Sequence, residues 1–496
     1  MKLYLTGHNY RYAVEQILMV LFPGEKPEYP ASPPGPGERF CSSALDCGAE
    51  SVTARAAIGW DGASAAGESH CPLPLPEDGL ERDRLLQRIL KQTIYKAAVE
   101  ILGKEPPWGA LSGIRPAKLA SKALEQGQTE EETRTLFREV YFVSPSRTEL
   151  ALDAARAGLA AKASLRPDEI SLYVGIPFCP TRCVYCSFVS ADIKRAMKLM
   201  EPFVAALHKE IDCAAALLRE AGLYLRTIYL GGGTPTTLSA GQLDGILSHL
   251  RDAFDLSRLT ELTVEAGRPD TITPEKLAVL RRRGVTRVSV NPQSMEDNVL
   301  RAIGRAHTAE DILSAYQIVR DTGIPAVNMD LIAGLPEDTL PGFQGTLDQV
   351  LALDPENITV HTLALKKGAR LMLEQHPLPS GAETAAMLDY AWAALRQAGQ
   401  VPYYLYRQKY MSGALENIGW CKPGYEGLYN ICIMEELHTI LALGAGGSTK
   451  LTDPATGRIV HITNPKYPKE YIERIDQLCA EKRPLVDFHR AMASRP

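Results

Sequence analysis

No long apolar run opens this sequence of 496 residues. The strongest near the start, AVEQILMVLF (13–22), carries Glu15 and Gln16 and is far too short to span a bilayer, so it reads as a core-facing helix. No basic segment, apolar stretch and cleavage site are combined there, and a cytoplasmic protein without a membrane span is expected. An excess of positive charge is also missing. Lys and Arg number 54 against 59 Asp and Glu, a net charge of −5, which argues against nucleic acid as a partner. Internal repeats are absent. The one biased tract is a proline-rich loop over 24–39. Ten cysteines without a secretion signal point to a reducing compartment, where thiols serve metals or catalysis rather than disulfides.

What is present divides into three regions. Residues 1–165 read as an N-terminal α+β domain of unknown role. MKLYLTG suggests an edge strand, SVTARAAIGW (51–60) another strand, and RDRLLQRILKQTIYKAAVEIL (82–102) an amphipathic helix. Cys41, Cys47 and Cys71 match no common metal spacing and are taken as ordinary thiols.

From 170 to 365, short β-branched runs alternate with helical stretches. Strands are expected at 171–176, 227–232, 261–266, 287–292, 326–334 and 357–363, with helices such as 200–222 and 274–284 between them. Six βα units imply parallel strands with right-handed crossovers. Six are too few for a closed eight-stranded barrel, so the fold class is α/β, a partial (β/α)6 barrel. Its functional residues should lie at the carboxyl ends of the strands. Residues 366–496 read as a mixed, substrate-side region, with a Tyr-rich strand at 401–411. EELHTILALGAGGSTK (435–450) reads as a helix running into a Gly-rich loop.

The densest signal is LYVGIPFCPTRCVYCSF (172–188), which sets Cys179, Cys183 and Cys186 within eight residues. Structural zinc wants four ligands, commonly in C-x2-C pairs. A C-x3-C-x2-C loop with no fourth Cys or His close by suits a [4Fe–4S] cluster with one iron left open. A zinc loop completed from a distance, or three coincidental thiols, are the alternatives.

This triplet, with an aromatic (Tyr185) before its last Cys, resembles the signature of the radical S-adenosylmethionine (SAM) superfamily. LYVGIPFC, GGGTPT (231–236), VEAGRPDTIT (264–273), NPQS with GRAHT (304–308), and NMDLIAGLP (328–336) resemble the oxygen-independent coproporphyrinogen III oxidases. WGALSGIRPAKL (108–119) and YRQKYM (406–411) resemble their HemZ-type branch. The resemblance implies oxidative decarboxylation of two propionates of coproporphyrinogen III to vinyls, in haem biosynthesis. It implies Cys179, Cys183 and Cys186 as cluster ligands, and one or two SAM molecules held by Tyr173, Tyr185, Gly232, Gly233, Thr234, Glu265, Gln293, Arg305, Asp330 and Ala364. Tyr173 and Arg305 are the catalytic candidates, and an electron donor such as flavodoxin or ferredoxin is a partner. Arg182, Arg407 and Lys409 are candidate cations for a tetrapyrrole's carboxylates. Two positions depart from the oxidases: Phe188 replaces a further Cys, and Gly175 replaces a His. A sister group of haem chaperones carries a haem-ligating His where this chain reads YNICIM (429–434). A haem-binding role, or another two-SAM reaction such as methyl transfer, stays open.

Overall fold

The computed structural model describes residues 1–186, 191–365, 369–371, 376–408 and 411–494, with backbone alone at 194, 195 and 412. It divides into two compact units. One is Met1–Leu152 with Gly413–Leu415; the other is Asp153–Ser412 with Glu416–Pro496.

The first unit is built on a sheet of β1 (Lys2–Thr6), β2 (Phe40–Cys47), β3 (Ser51–Trp60) and β4 (Ala63–Pro72), paired in that order. β1 is an edge strand and runs parallel to β2; the other pairings are antiparallel. Helices Arg11–Leu21 and Gly79–Leu102 bury one stripe each, Val14, Ile17 and Leu18 on the first and Ile94, Tyr95, Ala97 and Ala98 on the second. The i, i+3, i+4 spacing of these residues is why the segments fold as helices. Cys41 and Cys71 point into this core, and Cys47 is exposed.

The second unit carries the barrel strands. β5 (Glu169–Ile176) leads into the short β6 (Phe178–Cys179), which pairs with β7 (Ala191–Asp192). Next come β8 (Tyr224–Gly232), β9 (Glu261–Glu265), β10 (Arg287–Ser289), β11 (Ala326–Ala333) and β12 (Asn357–Thr362). All six expected strands are present. They pair in parallel in the order β5-β8-β9-β10-β11-β12, as a partial barrel requires. Ser and Thr hydroxyls start the intervening helices through capping boxes, Ser239 with Gln242 and Thr308 with Asp311.

Residues 366–496, set apart by the sequence pattern, supply five more strands to the same sheet. β13 (Val401–Tyr406) and β14 (Asn417–Cys421) extend it antiparallel beyond β12. β15 (Ile440–Gly444) adds a further parallel strand beside β5, followed by β16 (Ser448–Asp453) and β17 (Arg458–Thr463). β15 corrects the helix expected over 435–450: Ile440–Gly444 is buried on both faces, and a wholly apolar run shows no strand period. Among the described residues no helix is long and apolar enough to cross a membrane.

Candidate active site

The cysteine loop is clasped to the turn after β8 by backbone hydrogen bonds. Gly233 N–H donates to the Ile176 carbonyl and Thr234 N–H to the Phe178 carbonyl, both at 2.7 Å. A Cβ on Gly233 would lie 2.5 Å from the Phe178 oxygen. Gly232 turns with φ 105°, where a side chain is strained. The approach of the chain's own backbone to Gly233 leaves no room for a side chain there. From this turn Thr234 Oγ1 donates to Cys179 Sγ at 3.6 Å.

Cys183 is buried, and its neighbour Val184 is tied to Ile303 and Leu371 by backbone bonds of 3.1 and 3.0 Å. Two buried guanidiniums meet its sulfur. Arg268 Nη1 donates at 3.7 Å, and Arg305 lies close enough to act on it electrostatically. Arg305 Nη1 donates to the Asn291 carbonyl at 2.6 Å, and its Nη2 to Tyr185 Oη at 3.4 Å. Cys186 N–H closes the loop onto the Cys183 carbonyl at 3.2 Å.

As placed, no three His, Cys, Asp or Glu side chains among the described residues converge as a metal-ligand group, the triplet included. The donor set nevertheless suits an iron–sulfur cluster and a polar cosubstrate. Three thiols share one loop, beside two buried cations that balance thiolate charge. At the carboxyl end of β10, Ser289 Oγ, Asn291 Oδ1 and Gln293 Oε1 are buried without hydrogen-bond partners, as is Arg305 Nε. Such a set offers hydrogen-bonding positions to a bound polar group or water.

Glu265 ends β9 and accepts from Tyr229 Oη at 2.7 Å. Burial pushes its carboxyl up to about 7, opposed by that hydrogen bond and reinforced by Asp330. Gly231 makes room for it, since a Cβ there would lie 3.0 Å from the carboxyl. Asp330, on β11, goes the other way. Burial would raise it, but His361, Asn328 and Thr359 hold it below the usual range. Asn328 Nδ2 donates to it at 2.7 Å. Gln293 takes a left-handed backbone, φ 68°, fixed by its bonds to Asp330 O and Ile332 N at 2.9 and 3.1 Å. A non-glycine residue held there marks a site whose surroundings over-determine it.

Tyr173, on β5, stacks with Tyr229 and Tyr429, each at 6.3 Å between centroids; burial raises its hydroxyl. Tyr229 and Tyr429 lie 4.4 Å apart. Tyr429 belongs to the helix Leu428–Glu435, whose first amides donate to the Glu261 carboxylate at 2.7 and 3.3 Å. Glu261 opens β9, so the YNICIM stretch closes the end of the barrel opposite the cysteine loop.

Ala364 follows β12 and bridges to Met411. Gly175 has no space for a side chain: a Cβ would sit 2.8 Å from the Ala445 carbonyl. Of the candidate cations, Arg182 is exposed. Arg407 is instead buried, its guanidinium pushed down to about 10 by burial against the pull of Glu416, which removes it from the candidates for solvent-facing carboxylate binding. Lys409 and Phe188 lie outside the described residues.

Sequence reasoning missed Arg268, His307, Asn328 and His361. Arg268 and His307 sit inside motifs already singled out. Buried His307 has both ring nitrogens unpartnered, and burial, then Arg305 and Arg268, push it down to about 4. Alternation along β11 and β12 was the available signal for Asn328 and His361, which share the inward face with Asp330.

A model of the radical SAM superfamily matches residues 173–350. The oxygen-independent coproporphyrinogen-III oxidase-like protein HemZ of Bacillus subtilis is 41% identical over 402 residues, 79% of this chain and 80% of that protein. The heme chaperone HemW of Escherichia coli is 28% identical over 304 residues, 61% of this chain and 76% of its own. Among solved structures, coproporphyrinogen III oxidase (HemN) from Escherichia coli superposes with TM-score 0.51 at 24% identity, over 66% of this chain and 73% of that one. At that identity the likeness is one of fold.

Proposed function

We propose that this chain, which belongs to the radical SAM superfamily and, within it, to the HemZ-type branch of the oxygen-independent coproporphyrinogen III oxidase family, is a decarboxylating dehydrogenase of coproporphyrinogen III. Each of two propionates gives up a β-hydrogen atom and CO2, passes one further electron to an electron acceptor and becomes a vinyl, giving protoporphyrinogen IX. Support for the substrate comes from the HemZ relative, whose name carries that chemistry and which covers most of this chain. The observation that carries the site is the clasp of the cysteine loop to Gly233 and Thr234.

In this reading Cys179, Cys183 and Cys186 hold the cluster. Tyr173, Tyr185, Gly232, Gly233, Thr234, Glu265, Gln293, Arg305, Asp330 and Ala364 surround the nucleotide. When bound, the [4Fe–4S] cluster and SAM supply one-electron cleavage of the sulfonium and a hydrogen-abstracting 5′-deoxyadenosyl radical. A low-potential donor of the flavodoxin or ferredoxin kind delivers the electron. A cytoplasmic setting, which keeps cysteines reduced, suits this chemistry.

The chain's own residues do the rest. Asp330, ionised and fixed by Asn328, accepts from ligand hydroxyl or ammonium groups. Glu265, poised near neutrality, holds or releases a proton at the carboxyl that receives the Tyr229 hydroxyl. The stacked Tyr173, Tyr229 and Tyr429, backed by the helix Leu428–Glu435, close the barrel floor and exclude water. Arg182, exposed on the cysteine loop, is a candidate for a substrate carboxylate.

A haem-carrier role finds less support. Cys432 within YNICIM is fully buried, and burial raises its thiol, so it offers no open ligand to haem iron. An anaerobic assay with reductant, SAM and coproporphyrinogen III tests the proposal. Release of two CO2 per tetrapyrrole with vinyl product is expected; SAM cleavage without a vinyl product overturns it.

A further inference from the structure

We infer that Arg268 sets the reduction potential of a cluster held by the cysteine loop, through a charge-assisted hydrogen bond to the Cys183 sulfur. The inference rests on the proposed [4Fe–4S] site and adds to it a residue outside the cysteine triplet and outside the SAM contacts expected from the sequence.

Arg268 lies in the turn after β9, within GRPDT. Its amide bonds the Ala266 carbonyl at 2.6 Å, and its own carbonyl receives Thr271 N–H and Oγ1 at 3.0 and 2.9 Å. The backbone is therefore fixed before the side chain departs toward the cysteine loop. There Nη1 donates to Cys183 Sγ at 3.7 Å and Nη2 to Thr181 Oγ1 at 3.0 Å. Both acceptors belong to the C-x3-C segment, so one planar fork engages the loop at two points.

Burial makes the charge count. Arg268 is 4% exposed, whereas the carboxylate it pairs with, Asp270, has a side chain 37% exposed. Asp270 bonds Nε and Nη2 at 3.1 and 3.3 Å. Water screens the carboxylate more than the guanidinium, which leaves net positive potential at the sulfur. A tie that only fixed the loop's shape would be served by Thr181 and backbone bonds; a buried cation donating to the sulfur itself does more.

Hydrogen bonds to cluster sulfurs, nearby charge and solvent exclusion are the levers by which a protein sets such potentials. Taking up one electron adds one negative charge. A buried cation against a ligand sulfur stabilises that reduced form and raises the potential. Removing the cation lowers it, and removing the opposing Asp270 charge raises it.

The test is an EPR-monitored redox titration of anaerobically reconstituted full-length protein, with dithionite as reductant and without SAM. Arg268→Gln should titrate at lower potential than the unaltered protein, Arg268→Lys closer to it, and Asp270→Asn above it. Equal midpoints for all four proteins overturn the inference and leave a purely structural tie. Should Arg268→Gln take up no iron, Asp270→Asn decides: a raised midpoint sustains the inference and an unchanged one overturns it. Unaltered protein that never shows a [4Fe–4S] signal overturns the inference together with the cluster site. Absence of vinyl product with the expected potential shifts overturns the substrate reading alone.

Discussion

Gly233 packs so closely on Phe178 that a Cβ added to the glycine would stand 2.5 Å from the phenylalanine carbonyl oxygen. That contact joins the turn after β8 to the loop that bears the thiols. Gly233→Ala is expected to force the two apart at a cost of about 1–3 kcal/mol, the range for overpacking a fixed backbone. Iron bound per chain after anaerobic reconstitution should fall severalfold while the far-ultraviolet circular dichroism stays native. Full iron loading in this variant would show that the clasp does not organise the loop.

Gly175 stands where the oxidases that this chain resembles carry a histidine. Its Cβ position is taken by the Ala445 carbonyl at 2.8 Å, and β15 is the cause: Gly444 pairs with Gly175 there in parallel register. Gly175→His should therefore lower stability by at least about 1–3 kcal/mol. Chemical unfolding reads this directly, and an undiminished midpoint would mean that β15 moves aside at no cost.

Glu265 gives a pH signature. Burial raises its carboxyl from the ordinary 4.5 to about 7 in the folded chain. Below pH 4.5 it is protonated whether the chain is folded or not. Between 4.5 and 7 the folded form keeps a proton that the unfolded form has lost. The associated stability is thus complete at low pH and disappears as pH rises through about 7, on the order of 3 kcal/mol in all. Glu265→Gln lacks this dependence. The stability difference between variant and parent should shift in the variant's favour from pH 5 to 7.5, and a flat difference would contradict the raised value.

Lys482 and Glu210 form a buried ion pair at 2.7 Å, 1% and 0% exposed. Glu210 also accepts from Gly444 N–H at 2.7 Å and Tyr471 Oη at 2.6 Å, which ties the C-terminal helices to the β15 turn. Lys482→Met strands a carboxylate in the interior and should cost about 3–5 kcal/mol. Thermal unfolding of the variant should begin well below that of the parent.

Much of the fold could be read from the chain because β5, β8, β9, β11 and β12 are β-branched runs ended by Gly, Pro or polar residues. β15 was not legible: ILALG has no strand period, and its helical neighbours invite a helix. β2 and β4, rich in Ala, Ser and Gly, gave no strand signal that competes with a loop. At the site, the strand-end position of Glu265 accords with the βα pattern, and Asp330, within β11, came from the family resemblance. Partners did not. Arg305 meets Asn291 and Tyr185, and Arg268 meets Cys183 85 residues away, through folding that spacing does not encode. The inward tyrosines come from β5, β8 and the helix Leu428–Glu435, which only the folded sheet brings into one stack.

The central claim is that Cys179, Cys183 and Cys186 hold an iron–sulfur cluster at which SAM is opened. Anoxic reconstitution with iron and sulfide, followed by metal analysis and a 5′-deoxyadenosine assay, tests it most directly. About four irons per chain and steady 5′-deoxyadenosine formation, both abolished in a Cys183→Ala chain, are the expected result. Zinc taken up in place of iron, or a four-iron centre that never yields 5′-deoxyadenosine, would contradict it.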